Sequence, residues 1–220
     1  MRDRVPLFRQ TTDFTCGACA TLMVWGYFDS NVELSKRNEF LIWAEIVGLP
    51  FKFSSPYRIA EFLIKKGFEA KLLMKQESIG EDVTLLECCW VEPEEKKLFL
   101  NFFKGYNRIL KKRIASAILN KKPKMSDIRK ALSNRNPIIA LVDSYHTATT
   151  KGVRAPSHLP HWVVITEYEN EDKMFHINDP DQGKLLIEEH TLEKAMDTYT
   201  RLGWPSALIL VKAKANVGKI

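Results

Sequence analysis

The order in which helical and extended patterns follow one another constrains the fold of this 220-residue chain more than any other sequence feature. Helical patterns dominate the first half of the chain, and strand patterns dominate the second half. The predicted helices cover residues 16–28, 34–47, 57–66, 97–119, 126–134 and 192–201, and the predicted strands cover residues 68–74, 137–143, 162–168, 173–177 and 207–212. Such segregation is typical of α+β proteins, so we expect an N-terminal helical lobe packed on a C-terminal antiparallel sheet, with a cleft between them.

Local signals mark where several of these elements begin and end. The pair Ser55-Pro56 combines a capping hydroxyl with a first-turn proline at the start of the third helix, and Gly67 closes that helix. Ser126 is expected to cap the fifth helix. The apolar run 83–91 fits either a strand or a helix.

Length and composition indicate one globular unit. We expect a single domain over residues 1–220, with a possible helical insertion at about 75–126. The first residues are too charged for a signal peptide, and no stretch approaches the roughly 18 apolar residues that a membrane span needs. We therefore expect a cytoplasmic protein with no membrane span, whose four cysteines are reduced.

The net charge of +6 is concentrated in one segment. Residues 96–124 contain ten lysines and arginines and no acidic residue, so this segment carries +10 and the rest of the chain carries −4. Such a segment could bind nucleic acid or an anionic membrane surface. No aromatic residue lies on its polar side as a stacking platform would require, so we favour a packed amphipathic helix with a solvated lysine face. Nucleic acid is not an expected partner.

Cys16 opens the first predicted helix, six residues after Gln10. A thiol at a helix N-terminus lies at the positive end of the helix dipole, which favours the nucleophilic thiolate. Taken alone, a cysteine is more often a small buried hydrophobic residue. A redox or zinc pair with Cys19 is a further alternative, but a polar run precedes the pair and the adjacent Cys88-Cys89 lacks the usual spacer for two more ligands. We expect the three other cysteines to be structural.

A base and its orienting group are predicted near the C-terminal strands. His161 precedes a buried strand, and a carboxylate or an amide, Asp179 or Asn178, ends the next strand. A four-residue turn over 169–172 would place His161 on the same face as Asn178, whereas a one-residue slip or a β-bulge would bring it to Asp179. Thiol, imidazole and carboxylate in this order are the components of a nucleophilic cysteine site.

Two further histidines lie in a predicted polar loop over 144–160. His146 and His158 are expected there as surface groups or as substrate contacts, rather than as the base.

These motifs together resemble papain-like cysteine peptidases of the bacteriocin-processing type, which remove double-glycine leader peptides. The resemblance rests on Gln10 with Cys16-Gly17, on the third helix and the strand after it, on the strand 137–142, and on two C-terminal motifs. Those motifs are His161-Trp-Val-Val and Asn178-Asp179-Pro180. Residues 75–124 have no counterpart in the resemblance. Bacteriocin-processing members are usually fused to a transporter, and the chain has neither membrane spans nor a phosphate-binding loop. The leader-peptide substrate is therefore not carried over.

The resemblance implies a papain-like fold and a role for four residues. Cys16 would be the nucleophile, His161 the general base, and Asp179 the group that orients and stabilises the imidazole. The side-chain amide of Gln10 and the backbone N–H of Cys16 would form the oxyanion hole.

The sequence therefore predicts a thiol-dependent hydrolase that cleaves a peptide or other amide bond through an acyl-enzyme, with no metal or organic cofactor. Two alternatives stay open. An amine or thiol could capture the acyl group, which would make the protein a transferase. A catalytically silent binding module could instead use the basic segment 96–124 as its contact surface.

Overall fold

Seven β-strands form one sheet with helices on both of its faces. The computed structural model describes residues 3–48, 52–75, 95–148, 158–201 and 205–213. The helices in these ranges are α1 (Cys16–Phe28), α2 (Lys36–Ile46), α3 (Pro56–Lys65), α4 (Lys96–Arg113), α5 (Met125–Ser133), α6 (Ser144–Ala148) and α7 (Glu189–Arg201). The strands are β1 (Glu69–Met74), β2 (Ile118–Leu119), β3 (Ile138–Asp143), β4 (Pro160–Glu169), β5 (Met174–Asp179), β6 (Gly183–Glu188) and β7 (Ala207–Lys212). The fold is α+β, as the sequence predicted.

The strand order in the sheet is β2-β1-β7-β3-β4-β5-β6. All neighbouring strands are antiparallel except β1 and β2, which are parallel. The prediction of an antiparallel sheet is therefore confirmed apart from this short pair. The strand from the N-terminal half, β1, pairs with the last strand, β7, so the two halves of the chain share one sheet.

The two faces of the sheet bury separate hydrophobic clusters. Helices α1 and α3 cover one face, where Leu22, Leu63 and Trp162 belong to the same cluster. Helices α5 and α7 cover the other face, where Ile128, Phe175 and Leu192 are buried together. Because α1 is enclosed by α2, α3, β3 and β4, almost all of its side chains are buried.

Several predicted boundaries are correct and others need correction. The helix over residues 16–28 and the strand over residues 207–212 occur as predicted. Gly67 closes α3 with φ +92°, a conformation that favours glycine. Helix α5 begins at Met125 rather than after Ser126, because the Asp127 carboxylate accepts the backbone N–H of Lys124. The run 83–91 and both Cys88 and Cys89 lie outside the described residues.

The long basic helix is shorter than predicted. Helix α4 ends at Arg113, and a 3-10 turn leads into β2 instead of continuing to residue 119. This turn buries Ile114 and lets Ile118 pair with Leu72 of β1, which a continued helix could not do. Phe102 of this helix is about half exposed.

Two elements near the C-terminus were not predicted. A one-and-a-half-turn helix, α6, begins the segment that we expected to be a polar loop over 144–160. Strand β6 extends the sheet beyond β5 and alternates between buried and exposed residues. Within the described ranges, every helix is too short or too polar to cross a lipid bilayer.

Candidate active site

The N-terminus of α1 presents Cys16 at the edge of the core. Cys16 is the first residue of the helix, and 8% of its surface is exposed. The preceding residue, Thr15, directs its hydroxyl to the carboxylate of Glu39 and does not cap the helix. The N–H groups of the first turn are therefore left for another acceptor, and the positive end of the helix dipole lies beside the thiol.

Close packing holds this end of α1 against the neighbouring elements. A Cβ atom added to Gly17 would lie 2.4 Å from Ser54 Oγ and 3.0 Å from Trp162 Cδ1. The indole of Trp162, the residue after His161, also donates a hydrogen bond to the Ser54 carbonyl. The absence of a side chain at position 17 thus lets α1 approach the start of β4, where His161 lies.

The structure brings His161 and Asp179 together at the ends of β4 and β5. His161 Nε2 lies 2.8 Å from Asp179 Oδ1, and because an ionised carboxylate only accepts, the imidazole N–H donates. The same carboxylate oxygen accepts the backbone N–H groups of Asp181 and Gln182. Asp179 is completely buried, so these donors are what hold its position and its charge.

Asn178, the alternative partner, faces elsewhere. Its side-chain amide donates to the carbonyl oxygens of Val5 and Pro6, which ties the N-terminal segment to β5. Asn178 therefore has a structural contact with the chain start and is not the partner of His161.

A β-bulge decides which of the two residues meets His161. The turn between β4 and β5 covers 170–173 rather than 169–172. This difference shifts the pairing of β4 with β5 by two residues, so by itself it would still place His161 on the same face of the sheet as Asn178. A β-bulge leaves Thr166 unpaired between Ile165 and Glu167. Because of this extra residue, each residue of β4 before Thr166 faces the opposite side of the sheet from the side it would face in a regular strand. The bulge brings His161 to the face of Asp179.

The thiol of Cys16 also interacts with the imidazole and raises its pKa. Burial on its own would lower the pKa of His161. The attraction of the Asp179 carboxylate, the hydrogen bond to it and the interaction with Cys16 outweigh burial and raise the pKa of His161 to about 10. At neutral pH the imidazole is therefore protonated, which favours a thiolate beside it.

The pKa of Asp179 moves in the opposite direction. Burial would raise this pKa, but the charge of His161, its hydrogen bond and the backbone N–H groups of Gln182 and Asp181 lower it. Asp179 therefore stays ionised inside the protein at neutral pH.

Gln10 lies next to the same end of β5. Its backbone N–H donates to the carbonyl of Pro180, 2.9 Å away. Since Pro180 follows Asp179 in the chain, this bond holds Gln10 close to the end of β5. Its side-chain oxygen is buried and has no hydrogen-bond partner among the described residues. Of the four residues singled out from the sequence, Cys16 begins α1, His161 and Asp179 lie at the adjoining ends of β4 and β5, and Gln10 lies in the segment before α1.

Sequence reasoning missed Glu39, which organises the segment between Gln10 and Cys16. This fully buried carboxylate accepts hydrogen bonds from the backbone and hydroxyl of Thr11 and from the hydroxyl of Thr15. Nothing in the sequence distinguishes Glu39 from an ordinary exposed glutamate of an amphipathic helix.

Burial and the neighbouring Glu39 raise the pKa of Cys19 far above its usual value, so this second free thiol is protonated and unreactive.

The two loop histidines are not simple surface groups. His146 is buried on α6, which corrects its predicted exposure, and it lies with His158 around the buried Asp143. Among the described residues, these three form a group whose side chains could hold a metal ion.

Comparison with known proteins identifies the family. Residues 5–203 match the model of the DUF3335 family, which is described as a Peptidase_C39 like family. The chain belongs to this family. Its membership places the protein among the cysteine peptidase-like proteins and confirms the resemblance seen in the sequence. A search of curated proteins gives no significant match.

Solved structures share the fold at low sequence identity. A putative C39-like peptidase from Bacillus anthracis is 12% identical, with 96% of each chain covered and a TM-score of 0.52, and this likeness supports the papain-like fold. A double glycine motif protease from an AMS/PCAT transporter, solved with a leader peptide, is 15% identical over 97% of this chain and 96% of that one, with a TM-score of 0.49. The peptidase domain of Streptococcus ComA is 13% identical over 96% of this chain and 99% of that one, with the same TM-score.

Proposed function

We propose that this protein is a thiol-dependent hydrolase that cleaves a peptide or other amide bond through an acyl-enzyme on Cys16. The observation that carries the proposal is the position of His161, which is hydrogen-bonded to the buried Asp179 carboxylate and whose pKa is raised by the Cys16 thiol. Family membership supports the same class of chemistry.

In the proposed mechanism, the reaction starts from a Cys16 thiolate beside a protonated His161. The Cys16 thiolate attacks the substrate carbonyl carbon, and the carbonyl electron pair becomes an oxyanion. The backbone N–H of Cys16 and the side-chain amide of Gln10 stabilise that oxyanion. Rotation of the Gln10 amide toward the oxyanion is available because its side-chain oxygen is not bound to another described residue.

Collapse of the tetrahedral intermediate breaks the C–N bond. The His161 imidazolium gives its proton to the leaving amine, and a thioester remains on Cys16. The now neutral imidazole takes a proton from water, whose oxygen attacks the thioester. The acid product leaves, and the proton on His161 again faces the Cys16 thiolate. Asp179 stays ionised throughout and keeps the ring oriented.

A short pulse of a sub-stoichiometric electrophile, read by mass spectrometry of the intact protein and its peptides, tests the proposal. We expect Cys16 to react before the other three cysteines. The His161→Ala variant should react slowly, whereas His176→Ala, which removes a histidine from the outer part of β5, should react like the unmodified chain. Equal labelling of all four thiols, or a rate independent of His161, would overturn the proposal.

A further inference from the structure

A second group of side chains capable of chemistry lies where β3, α6 and the approach to β4 meet. Asp143 is the last residue of β3, His146 lies on α6, and His158 lies two residues before β4. Asp143 is completely buried, His146 is buried, and the side chain of His158 is about half exposed. The proposed hydrolysis makes no use of these residues.

The three side chains converge on one oxygen atom. Asp143 Oδ2 lies 2.6 Å from His158 Nδ1 and 3.9 Å from His146 Nε2. All three potential ligand atoms lie within 4.8 Å of one another. An ion whose bonds to its ligands are about 2.0–2.2 Å long can bind two atoms that lie up to about 4 Å apart. The two ligand atoms that are farthest apart would therefore need to approach each other by less than about 1 Å.

Neighbouring groups already orient these ligands. The other carboxylate oxygen of Asp143 accepts the backbone N–H of Tyr145, which directs Oδ2 toward the histidines. The Tyr145 ring lies 4.5 Å from the His158 ring and 5.4 Å from the His146 ring, measured between centroids. The hydroxyl of Thr198 on α7 lies 2.9 Å from His146 Nε2, a contact that a bound ion would replace, so the support for the ligands comes from Tyr145. Support of this kind around the ligands is typical of protein metal sites.

We propose that Asp143, His146 and His158 bind one divalent transition-metal ion of the Zn²⁺ type, through Asp143 Oδ2, His146 Nε2 and His158 Nδ1. Two imidazoles and one carboxylate are a three-ligand set that zinc uses with a water in the remaining position. The ligands contain no thiolate, and the two nitrogens favour zinc, cobalt or nickel over magnesium or calcium.

The ion would join three elements near the candidate active site. Asp143 pairs with Pro160, the residue before His161, in the β3–β4 ladder. Because the bound ion links β3, α6 and the residues that lead into β4, it stabilises the strand end that carries His161. Zn²⁺ should therefore raise the melting temperature of the full chain.

Zinc binding is measured on the full-length Cys16→Ala variant, because the Cys16–His161 pair could itself bind zinc. We expect one Zn²⁺ per chain after equilibrium dialysis and metal analysis. Co²⁺ in the same site should give visible d–d absorption without the near-ultraviolet charge-transfer band of a thiolate ligand. A stoichiometry of zero, or a thiolate band, would overturn the proposal.

Substitutions in the Cys16→Ala background locate the ion. His158→Ala should weaken Zn²⁺ binding by more than about 100-fold, since loss of an outer partner alone costs about 10- to 100-fold. Asp143→Asn, which keeps the oxygen facing Tyr145, provides a second variant with the same expected loss. The matched control is His176→Ala, because His176 also contacts a carboxylate, that of Glu169, but has no third ligand beside it in the part of the chain that the structure describes. Unchanged binding in folded His158→Ala and Asp143→Asn protein would overturn the proposal.

Discussion

Burial and the neighbouring charged groups of the candidate site shift the pKa of His161 in opposite directions. Burial disfavours its charge, yet the Asp179 carboxylate and the Cys16 thiol favour it strongly enough to raise its pKa. The consequence is an imidazolium inside the protein at neutral pH, held by one buried carboxylate and poised beside a sulfur.

Replacing the carboxylate tests this balance directly. Asp179→Asn removes the main charge that holds the proton, so the pKa of His161 should fall and the thiolate should become rarer. We expect the alkylation rate of Cys16 at neutral pH to fall about 10²- to 10⁴-fold, the range typical of lost acid–base assistance. Asp181→Asn, at an exposed neighbouring carboxylate, is the control. An unchanged pH–rate profile in Asp179→Asn would contradict this assignment.

The raised pKa of His161 also predicts a pH dependence of stability. A group whose pKa is higher in the folded state stabilises the fold fully below its ordinary pKa, and that contribution is lost as pH rises through the folded value. The free energy of unfolding of the unmodified chain should therefore approach that of His161→Gln between pH 6.5 and about 10. Denaturant titrations of both proteins across this window measure the difference. A constant difference would count against a protonated His161.

Among the elements, α1 depends most on close contacts at its first turn. Gly17 faces Ser54 and Trp162 without room for a side chain, while the carboxylate of Glu39 holds the two threonines before Cys16. The contact at Gly17 determines how closely α1 approaches β4. The hydrogen bonds of Glu39 determine the path of the segment that carries Gln10.

Gly17→Ala should therefore separate reactivity from overall folding. The added Cβ forces the start of α1 away from Ser54, which misaligns Cys16 with His161, so we expect a loss of more than about tenfold in the alkylation rate. Gly105→Ala, in a helix position with nothing within 4 Å, is the control and should be neutral or slightly stabilising. Wild-type alkylation of Gly17→Ala would show that the contact with Ser54 does not position the thiol.

Glu39→Ala should be destabilising as well as slow to react. It removes the acceptor of the buried Thr15 hydroxyl and of the donors of Thr11, and a buried donor left unpaired costs about 1–3 kcal/mol. We expect the free energy of unfolding to fall by more than about 2 kcal/mol in chemical denaturation. Glu45→Ala, at an exposed position of the same helix, should change it by less than about 0.5 kcal/mol. Equal effects of the two substitutions would remove Glu39 from this role.

In the whole molecule, the double-sided sheet separates the core that contains Cys16 from a second core. Cys16 belongs to the cluster beneath α1 and α3, whereas Phe175 is fully buried in the cluster beneath α5 and α7. Strand β4 contributes to both, since alternate residues face opposite sides.

Phe175→Ala should thus lower stability without changing the chemistry of Cys16. The lost contacts and the cavity should cost about 3–5 kcal/mol in the free energy of unfolding, measured by denaturant titration. The alkylation rate of the protein that remains folded should match the unmodified chain. Leu186→Ala, at a half-exposed position of β6, is the control for stability. A large loss of Cys16 reactivity in folded Phe175→Ala would show that the two cores are coupled.

Local chemistry explains which parts of the fold could be predicted from the sequence. The small and apolar residues after Cys16, the Ser55-Pro56 start and the aliphatic run of β7 each identify an element through neighbours in the chain. Helix α4 was predicted too long because its end depends on Ile118 joining β1, a contact between residues far apart in the sequence.

The sequence by itself determined the helix that begins at Cys16, the strand that follows His161 and the order of the chemical groups, because each follows from residues within a few positions of one another. Only the tertiary structure decided that His161 meets Asp179 instead of Asn178. One unpaired residue, Thr166, exchanges the faces of a strand, and no local pattern records which residue of a strand lacks a partner. The burial of Glu39 and the gathering of His146 and His158 around Asp143 were decided in the same way, by packing between distant segments.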